Sequence, residues 1–313
     1  MNNCFLFPGQ GSQSIGMGLE LYNTFSEAKE VFQEVDESLS RTLSKLIFHG
    51  EIDELTQTQN AQPAIMALSL AATRVIEKQS GKKLYELGNT CAGHSLGEYS
   101  AYAAAGSFTL ADTALLLNVR GSEMAAAAAS SQGSMIAILG ADLNVVDHAI
   151  SKASEYGLCC IANDNSADQV VLSGSLPAIN YIEENYKELG IKRAIKLNVS
   201  GAFHSEMMSS AQDKMKHALE SVTITMPRIA LISNTDVDVK RDVESIKASL
   251  VEQIVKPVRW RETMMKISEG NTTKVVEIGV GKVLGGIAKK MLNGVEIYGV
   301  SNPNEIEILL QNI

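Results

Sequence analysis

The chain has 313 residues, enough to bury a large core and more than one minimal folding unit. Its 45% hydrophobic and 20% charged residues are ordinary for a soluble globular protein, and a formal charge of −9 argues against nucleic acid as a partner. On so acidic a chain, any anionic ligand needs a local cluster of positive residues. The run Cys4 to Phe7 is short and apolar and is stopped by Pro8-Gly9, the pattern of a buried strand entering a loop. The loop from Gly9 to Gly18 fails as a phosphate loop, because Met17-Gly18 follows Gly16 where Lys and Ser/Thr are required. Phe25 to Leu39 and Gln62 to Lys78 carry helical periodicity, the second with Pro63 in its first turn, where proline is tolerated.

The next stretch is the most informative. Thr90-Cys91-Ala92 is a small apolar run, Gly93-His94-Ser95-Leu96-Gly97 fits G-x-S-x-G, and an alanine-rich helix is predicted over Glu98 to Ala105. Strand, sharp turn and helix in that order are what a nucleophile elbow requires. Glycines at both ends let the backbone turn without Cβ clashes, and the helix behind aims its N–H groups at a developing oxyanion. Serine acyl chemistry is therefore expected.

Leu110 to Ala129 reads as another helix, its five closing alanines reflecting high helix propensity. Beyond Gly133 the pattern becomes strand (Met135 to Leu139), helix (Val145 to Ser154), strand (Leu158 to Ala162), strand (Val170 to Ser173), helix (Pro177 to Leu189) and strand (Arg193 to Leu197). That β-α-β-β-α-β order is ferredoxin-like and reads as an insert, bordered by Ser130 to Gly133 and Asn198 to Gly201. Further elements follow: helix Glu206 to Glu220, strand Ile229 to Ser233, helix Ile246 to Ile254, strand Lys274 to Ile278, helix Val283 to Leu292 and strand Val295 to Tyr298. Strands alternating with helices predict an α/β fold with a mainly parallel sheet and functional groups at the carboxyl ends of strands.

Cys4, Cys91, Cys159 and Cys160 lie in apolar, strand-like runs without zinc-ligand spacing, so they read as buried free thiols suited to a reducing cytosol. The N-terminal residues lack the basic and apolar regions of a signal peptide, and no stretch approaches the ~20 apolar residues of a membrane span. A cytoplasmic location, with neither membrane nor nucleic acid as partner, is the expectation.

A serine needs a base, and five histidines are available. His94 reads as a structural residue of the turn, while His49, His148 and His217 sit in helical or charged surroundings. His204, in the loop Val199 to Ser205 after a strand and before a helix, is the candidate base. Arg120 lies near the middle of a helix rich in leucine and alanine, where by spacing alone it reads as a solvated residue.

Several short runs occur together in order: Phe7-Pro8-Gly9-Gln10-Gly11-Ser12-Gln13, Gly93-His94-Ser95-Leu96-Gly97-Glu98-Tyr99, Val119-Arg120-Gly121, Asn165-Ser166, Gly201-Ala202-Phe203-His204-Ser205, Gln253, Pro257-Val258-Arg259-Trp260 and Glu277 to Leu284. With these the chain, over essentially its whole length, resembles malonyl-CoA:acyl carrier protein transacylases and the related acyltransferase domains of polyketide synthases. The resemblance implies a hydrolase-like catalytic domain over residues 1–130 and 199–313 and a ferredoxin-like subdomain over 131–198. It implies transfer of malonyl from malonyl-CoA to the phosphopantetheine thiol of acyl carrier protein, for fatty acid synthesis, with no metal or cofactor and as a monomer.

Residue by residue, the resemblance makes Ser95 the nucleophile and His204 the base, oriented by a backbone carbonyl at Gln253. It assigns the oxyanion to backbone N–H groups of Gln10 and Leu96, and the malonyl carboxylate to the forked guanidinium of Arg120. Ala202-Phe203-His204 matches the malonyl-selective pattern, Phe203 crowding an α-methyl. Asn163 and Asn165 would line the cleft between the domains. The sequence departs from the family at Val280, which replaces a proline in the last glycine turn and is expected to loosen it. It departs again at Asp164 and Asp168, whose charges argue against that loop meeting coenzyme A phosphates. Lys192, Arg193, Lys196, Lys282, Lys289 and Lys290 are candidates to attract the two acidic substrates.

Three other readings compete. A serine esterase or thioesterase shares G-x-S-x-G, but no acid between Ser95 and His204 and no H-G-G-G loop is apparent. A catalytically silent carrier-binding subunit would not need Ser95 and His204. A stand-alone acyltransferase of a polyketide pathway would use the same chemistry with another carrier.

Overall fold

The computed structural model describes residues 2–199 and 201–313; Met1 and Ser200, the latter within the expected border of the insert, lie outside the described residues. The described strands are β1 (Asn3–Phe7), β2 (Thr90–Gly93), β3 (Gly133–Leu139), β4 (Cys159–Ser166), β5 (Gln169–Ser175), β6 (Arg193–Lys196), β7 (Ala230–Ile232), β8 (Lys274–Ile278) and β9 (Glu296–Val300). One sheet has the order β7-β2-β1-β8-β9 with every pairing parallel. Its central strand β1 is buried throughout: Cys4 and Leu6 face one core, Phe5 and Phe7 the other. Burial on both faces explains why this strand reads as a continuous apolar run rather than an alternating one.

The register of that sheet builds the site. Phe7 of β1 is the partner of Gly93 of β2, so the loop carrying Gln10 and the elbow carrying Ser95 leave the sheet side by side. The next parallel strand, β7, ends at Ile232 and delivers Asn234 to the same edge. This is the carboxyl end of the sheet, where open α/β folds place their chemistry.

The second sheet is antiparallel, with the order β4-β5-β3-β6, the arrangement of a βαββαβ unit. Side chains alternate across it. Ile136, Ile138 and Leu172 pack on the helices Leu143–Ala153 and Leu176–Asn185, while Met135, Ala137 and Val171 face the larger body. The chain is thus α/β, a parallel sheet with helices joined to a ferredoxin-like antiparallel sheet.

The second sheet is tied to the larger body along a stretch of β4 that sequence reading placed in a loop. Strand β4 continues to Ser166, and Asp164 N–H donates to Val258 O at 2.9 Å while Val258 N–H donates to Ala162 O at 2.8 Å. Arg261 grips the Asp164 carboxylate through Nε at 3.0 Å and Nη2 at 2.8 Å. Arg261 sits on a helix, Trp260–Glu269, that was not anticipated although Trp260, Met264 and Ile267 have helical spacing. The short helices Leu19–Thr24, Leu43–His49, Ile52–Thr56 and Leu84–Leu87 and the last helix, Pro303–Leu310, were also missed.

The long helix Thr58–Ser80 starts a full turn before the expected Gln62, so Pro63 lies inside it. Proline leaves the carbonyl four residues earlier without a donor. Here that carbonyl, Gln59 O, accepts from Arg41 Nη2 at 3.1 Å, which offsets the loss. The helix Leu110–Ser130 packs closely across this start: a Cβ at Gly121 would lie 2.6 Å from Thr58 O. Glycine at that position lets the neighbouring Arg120 reach Gln62.

Candidate active site

Ser95 sits at the tip of the elbow with φ 54° and ψ −114°, a left-handed backbone conformation that an L-residue adopts only when held there. What holds it is close backbone packing. A Cβ on Gly93 would fall 1.9 Å from Gly97 O, and one on Gly97 would fall 2.2 Å from Phe7 O. Ser95 N–H donates to Asn234 Oδ1 at 2.8 Å, and Asn234 Nδ2 donates to Gly93 O at 2.7 Å, so the asparagine side chain splints the turn. The helix Leu96–Ala104 begins immediately behind it, two residues earlier than expected.

His204 also has a positive φ of 57°, in the turn before the short helix Glu206–Met208. Ser205 anchors this turn by donating to Ala202 O at 2.6 Å and capping Met207 N–H at 3.3 Å. His204 Nε2 lies 2.8 Å from Ser95 Oγ; Nδ1 lies 2.8 Å from Gln253 O and 3.2 Å from Lys256 O. Carbonyl oxygens only accept, so the hydrogen-bond network places the ring proton on Nδ1 and leaves Nε2 free to accept from the serine. Burial, reinforced by the nearby Arg120 charge, pushes His204 down to about 3, which keeps the imidazole neutral at ordinary pH.

Arg120 is 1% exposed, which overturns the solvated-helix reading of its spacing. Its Nη2 donates to Ser95 Oγ at 3.1 Å and to Gln253 Oε1 at 2.9 Å; its Nη1 donates to Gln62 Oε1 at 2.8 Å. These are neutral oxygens. The guanidinium also lies over the Tyr99 ring, 5.6 Å from its centroid. Desolvation pulls its pKa below the ordinary value, yet an arginine remains charged at any working pH. Among the described residues no carboxylate contacts this buried cation, and a charge so placed beside the Ser95 hydroxyl can receive an anion.

Ser95, His204 and Arg120 line a cleft of about 460 Å³ between the two sheets. Gln10 and Leu96 line it too, as do Phe203 and Asn163, with Met124, Met135 and Val171 as an apolar wall. Asn165 does not line it. Its Oδ1 meets His94 Nε2 at 2.9 Å, and the His94 ring stands edge-on to Trp260 with centroids 5.3 Å apart. His94 therefore braces the elbow against the second sheet.

The two acidic departures are compensated. Asp164 is held by Arg261, and Asp168 pairs with Lys290 at 3.3 Å. The same pairing uses up part of the expected positive cluster: Lys196 pairs with Glu183 at 3.4 Å and Lys282 with Glu305 at 2.9 Å. Val280, in place of the expected proline, is buried in the core.

Sequence reasoning missed three members of the network. Gln62 opens the buried face of a helix beside Pro63, and Asn234 follows a strand end, so position alone offered a signal for each. Glu98 stands in the elbow motif itself, fully buried, with Oε2 accepting from Gln253 Nε2 at 2.6 Å. Among the described residues no three His, Cys, Asp or Glu side chains cluster as metal ligands, and no helix is long and apolar enough to cross a membrane.

Comparison with known proteins bears on this geometry. The acyl transferase domain family matches residues 4–298. The malonyl CoA-acyl carrier protein transacylase of Bacillus subtilis (strain 168) is 44% identical over 313 residues, covering 99% of this chain and 96% of that protein. A crystal structure of the acyl-carrier-protein-S-malonyltransferase from Bartonella henselae superposes with a TM-score of 0.96 at 46% identity, covering 99% of both chains. A malonyl-transacylase solved in complex with its type II PKS acyl-carrier protein superposes with a TM-score of 0.95 at 34% identity over 100% of both chains.

Proposed function

The chain belongs to the acyl transferase domain family, and on that premise we propose that it transfers malonyl from malonyl-CoA to the pantetheine thiol of acyl carrier protein, supplying extender units for fatty acid synthesis. The observation that carries this reading is Arg120, a buried cation 3.1 Å from the Ser95 hydroxyl on the wall of the cleft. An esterase of neutral acyl groups has no use for it. A malonyl group presents a carboxylate to the guanidinium while its thioester carbon lies against Ser95 Oγ.

In the first half-reaction Ser95 Oγ attacks the thioester carbon and its proton passes to His204 Nε2. The Gln253 and Lys256 carbonyls hold the Nδ1 proton and stabilise the imidazolium, less strongly than a carboxylate does. The developing oxyanion takes the backbone N–H groups of Leu96, at the start of the elbow helix, and Gln10, on the adjoining loop. Collapse breaks the C–S bond, and the imidazolium returns its proton to the departing coenzyme A thiolate. In the second half-reaction the carrier's thiol gives its proton to His204 and attacks the malonyl-serine ester, restoring the Ser95 hydroxyl. The thioester supplies the driving force, so neither metal nor cofactor takes part.

Phe203, buried at the cleft wall, sets the preference against an α-methyl. Asn163 completes the wall on the side of the second sheet. The reading extends to a monomeric cytoplasmic enzyme, which the four free thiols support.

The test is to isolate malonylated protein and follow its decay with water alone and with holo acyl carrier protein. Rapid discharge to the carrier and slow hydrolysis are expected; equal rates would show a hydrolase instead.

A further inference from the structure

Beneath Ser95 the fold buries a carboxyl group for which the transfer chemistry has no direct use. Glu98 is fully buried on the elbow helix. Its Oε2 accepts from Gln253 Nε2 at 2.6 Å and from the Asn234 backbone N–H at 3.3 Å, while Oε1 has no partner among the described residues. A buried carboxyl with one oxygen unsatisfied is costly, and such groups call for a physical reason.

The reason lies on the far side of Gln253. That amide donates through Nε2 to Glu98 and also to Ser95 O at 3.0 Å, so its Oε1 must face Arg120 Nη2, 2.9 Å away. If the amide were reversed, its NH₂ would confront the guanidinium and its oxygen would confront the carboxylate. Glu98 thereby fixes the sense of the amide and serves as the counter-charge of Arg120 through one intervening side chain. The same residue, Gln253, holds His204 through its backbone oxygen.

Resting on the malonyl reading above, we propose that Glu98 is a positioning residue that links recognition of the substrate carboxylate to a proton: ionised while Arg120 is unliganded, it is drawn toward its protonated form, with net proton uptake from solvent, when a malonyl carboxylate reaches Arg120. Before binding, the buried set carries one positive and one negative charge. An arriving carboxylate leaves it net negative unless Glu98 is neutralised. Two carboxylates flanking Arg120 at roughly 10 Å, with an effective dielectric of ~20, oppose each other by about tenfold in binding. Burial, the largest influence on Glu98, lifts it to about 7, within the range where the linkage can be read.

The other charged and titratable groups facing Glu98 are each accounted for. Tyr99 and Tyr102 on its own helix are held up by burial. Asp236 and Lys240, beyond β7, pair with each other. Arg120 stays charged, and His204 at about 3 is already neutral.

The experiment measures acylation of Ser95 by malonyl-CoA and by acetyl-CoA on the intact protein from about pH 6 to about pH 9, and takes the ratio of their kcat/KM values. Coenzyme A phosphates and His204 act on both substrates and cancel in the ratio. The ratio is expected to fall about tenfold as pH rises through and just beyond about 7. In Glu98→Gln, which keeps an acceptor for Gln253 Nε2 but cannot titrate, the ratio becomes flat. Should that variant fold poorly, calorimetry of malonyl-CoA binding to Ser95→Ala protein, in two buffers of different ionisation heat, reads the proton directly, with acetyl-CoA as the control.

A flat ratio in the parent, a slope that survives in Glu98→Gln, or malonyl binding heats independent of buffer would each overturn the proposal. These outcomes are distinct from failure of the malonyl reading itself, in which no malonyl ester forms on Ser95 at any pH.

Discussion

Replacing Arg120 with alanine separates selection of the acyl group from the chemistry of its transfer. On the proposed reading, a malonyl carboxylate in the parent meets a guanidinium that is 1% exposed, so the pair is desolvated and its loss is costly. Removing one partner of such a pair costs about 3–5 kcal/mol, which is roughly two to four orders of magnitude in kcat/KM. Acetyl-CoA offers no carboxylate and is spared that loss. It loses only the influence of the Nη2 hydrogen bond to Ser95 Oγ, worth about 1 kcal/mol, so its rate stays within roughly tenfold.

The assay is the initial rate of serine acylation with each thioester. Their ratio is insensitive to any fraction of variant protein that fails to fold, which matters because alanine strands the Gln62 and Gln253 side-chain oxygens. The malonyl-to-acetyl ratio should fall by at least about a hundredfold. Arg120→Lys should fall between the two, keeping charge but not the fork. A ratio within about tenfold of the parent in Arg120→Ala would refute the assignment of the carboxylate to this residue.

Three further outcomes follow from the same geometry. Because His204 lies at about 3, acylation by acetyl-CoA should hold nearly level from about pH 8 down to about pH 5 and be lost only as pH falls toward the folded value; a midpoint near 6.5 in the rate profile would contradict the burial argument. Gly97→Ala places a Cβ 2.2 Å from Phe7 O and should cost several kcal/mol, seen as a much lower denaturant midpoint, whereas a parent-like midpoint would show that the elbow can relax. Phe203→Ala should raise the methylmalonyl-to-malonyl acylation ratio by roughly ten- to two-hundredfold, and an unchanged ratio would remove Phe203 from the selectivity account.

The framework of the site was legible in the sequence because its signals are local. The run Cys4 to Phe7 announced a strand buried on both faces, and the glycines around Ser95 announced a turn whose packing tolerates no Cβ. The βαββαβ order could be read from alternating periodicities, and the elbow, His204 and Arg120 came from motifs in fixed order. What escaped notice depends on contacts between distant residues. Glu98 acquires its meaning from Gln253, 155 residues away, and Asp164 loses its free charge to Arg261, 97 residues away. The early start of the helix at Thr58 needs Arg41 to satisfy a carbonyl that Pro63 leaves without a donor. The helix Trp260–Glu269 is a different case, since its apolar spacing is local and present in the sequence. Arg120 shows the limit most clearly: helical spacing placed it in solvent, and distant elements, the Thr58–Ser80 helix in close approach at Gly121 together with Tyr99 and Gln253, bury it.

Whether Ser95 carries malonyl from coenzyme A to a carrier thiol is read by mass spectrometry of the protein after brief exposure to malonyl-CoA, followed by holo acyl carrier protein. A single malonyl group is expected on the peptide containing Ser95, absent in Ser95→Ala and moved to the carrier when it is added. A protein that gains no malonyl group, or one whose ester is lost to water as fast as to the carrier, would contradict that role.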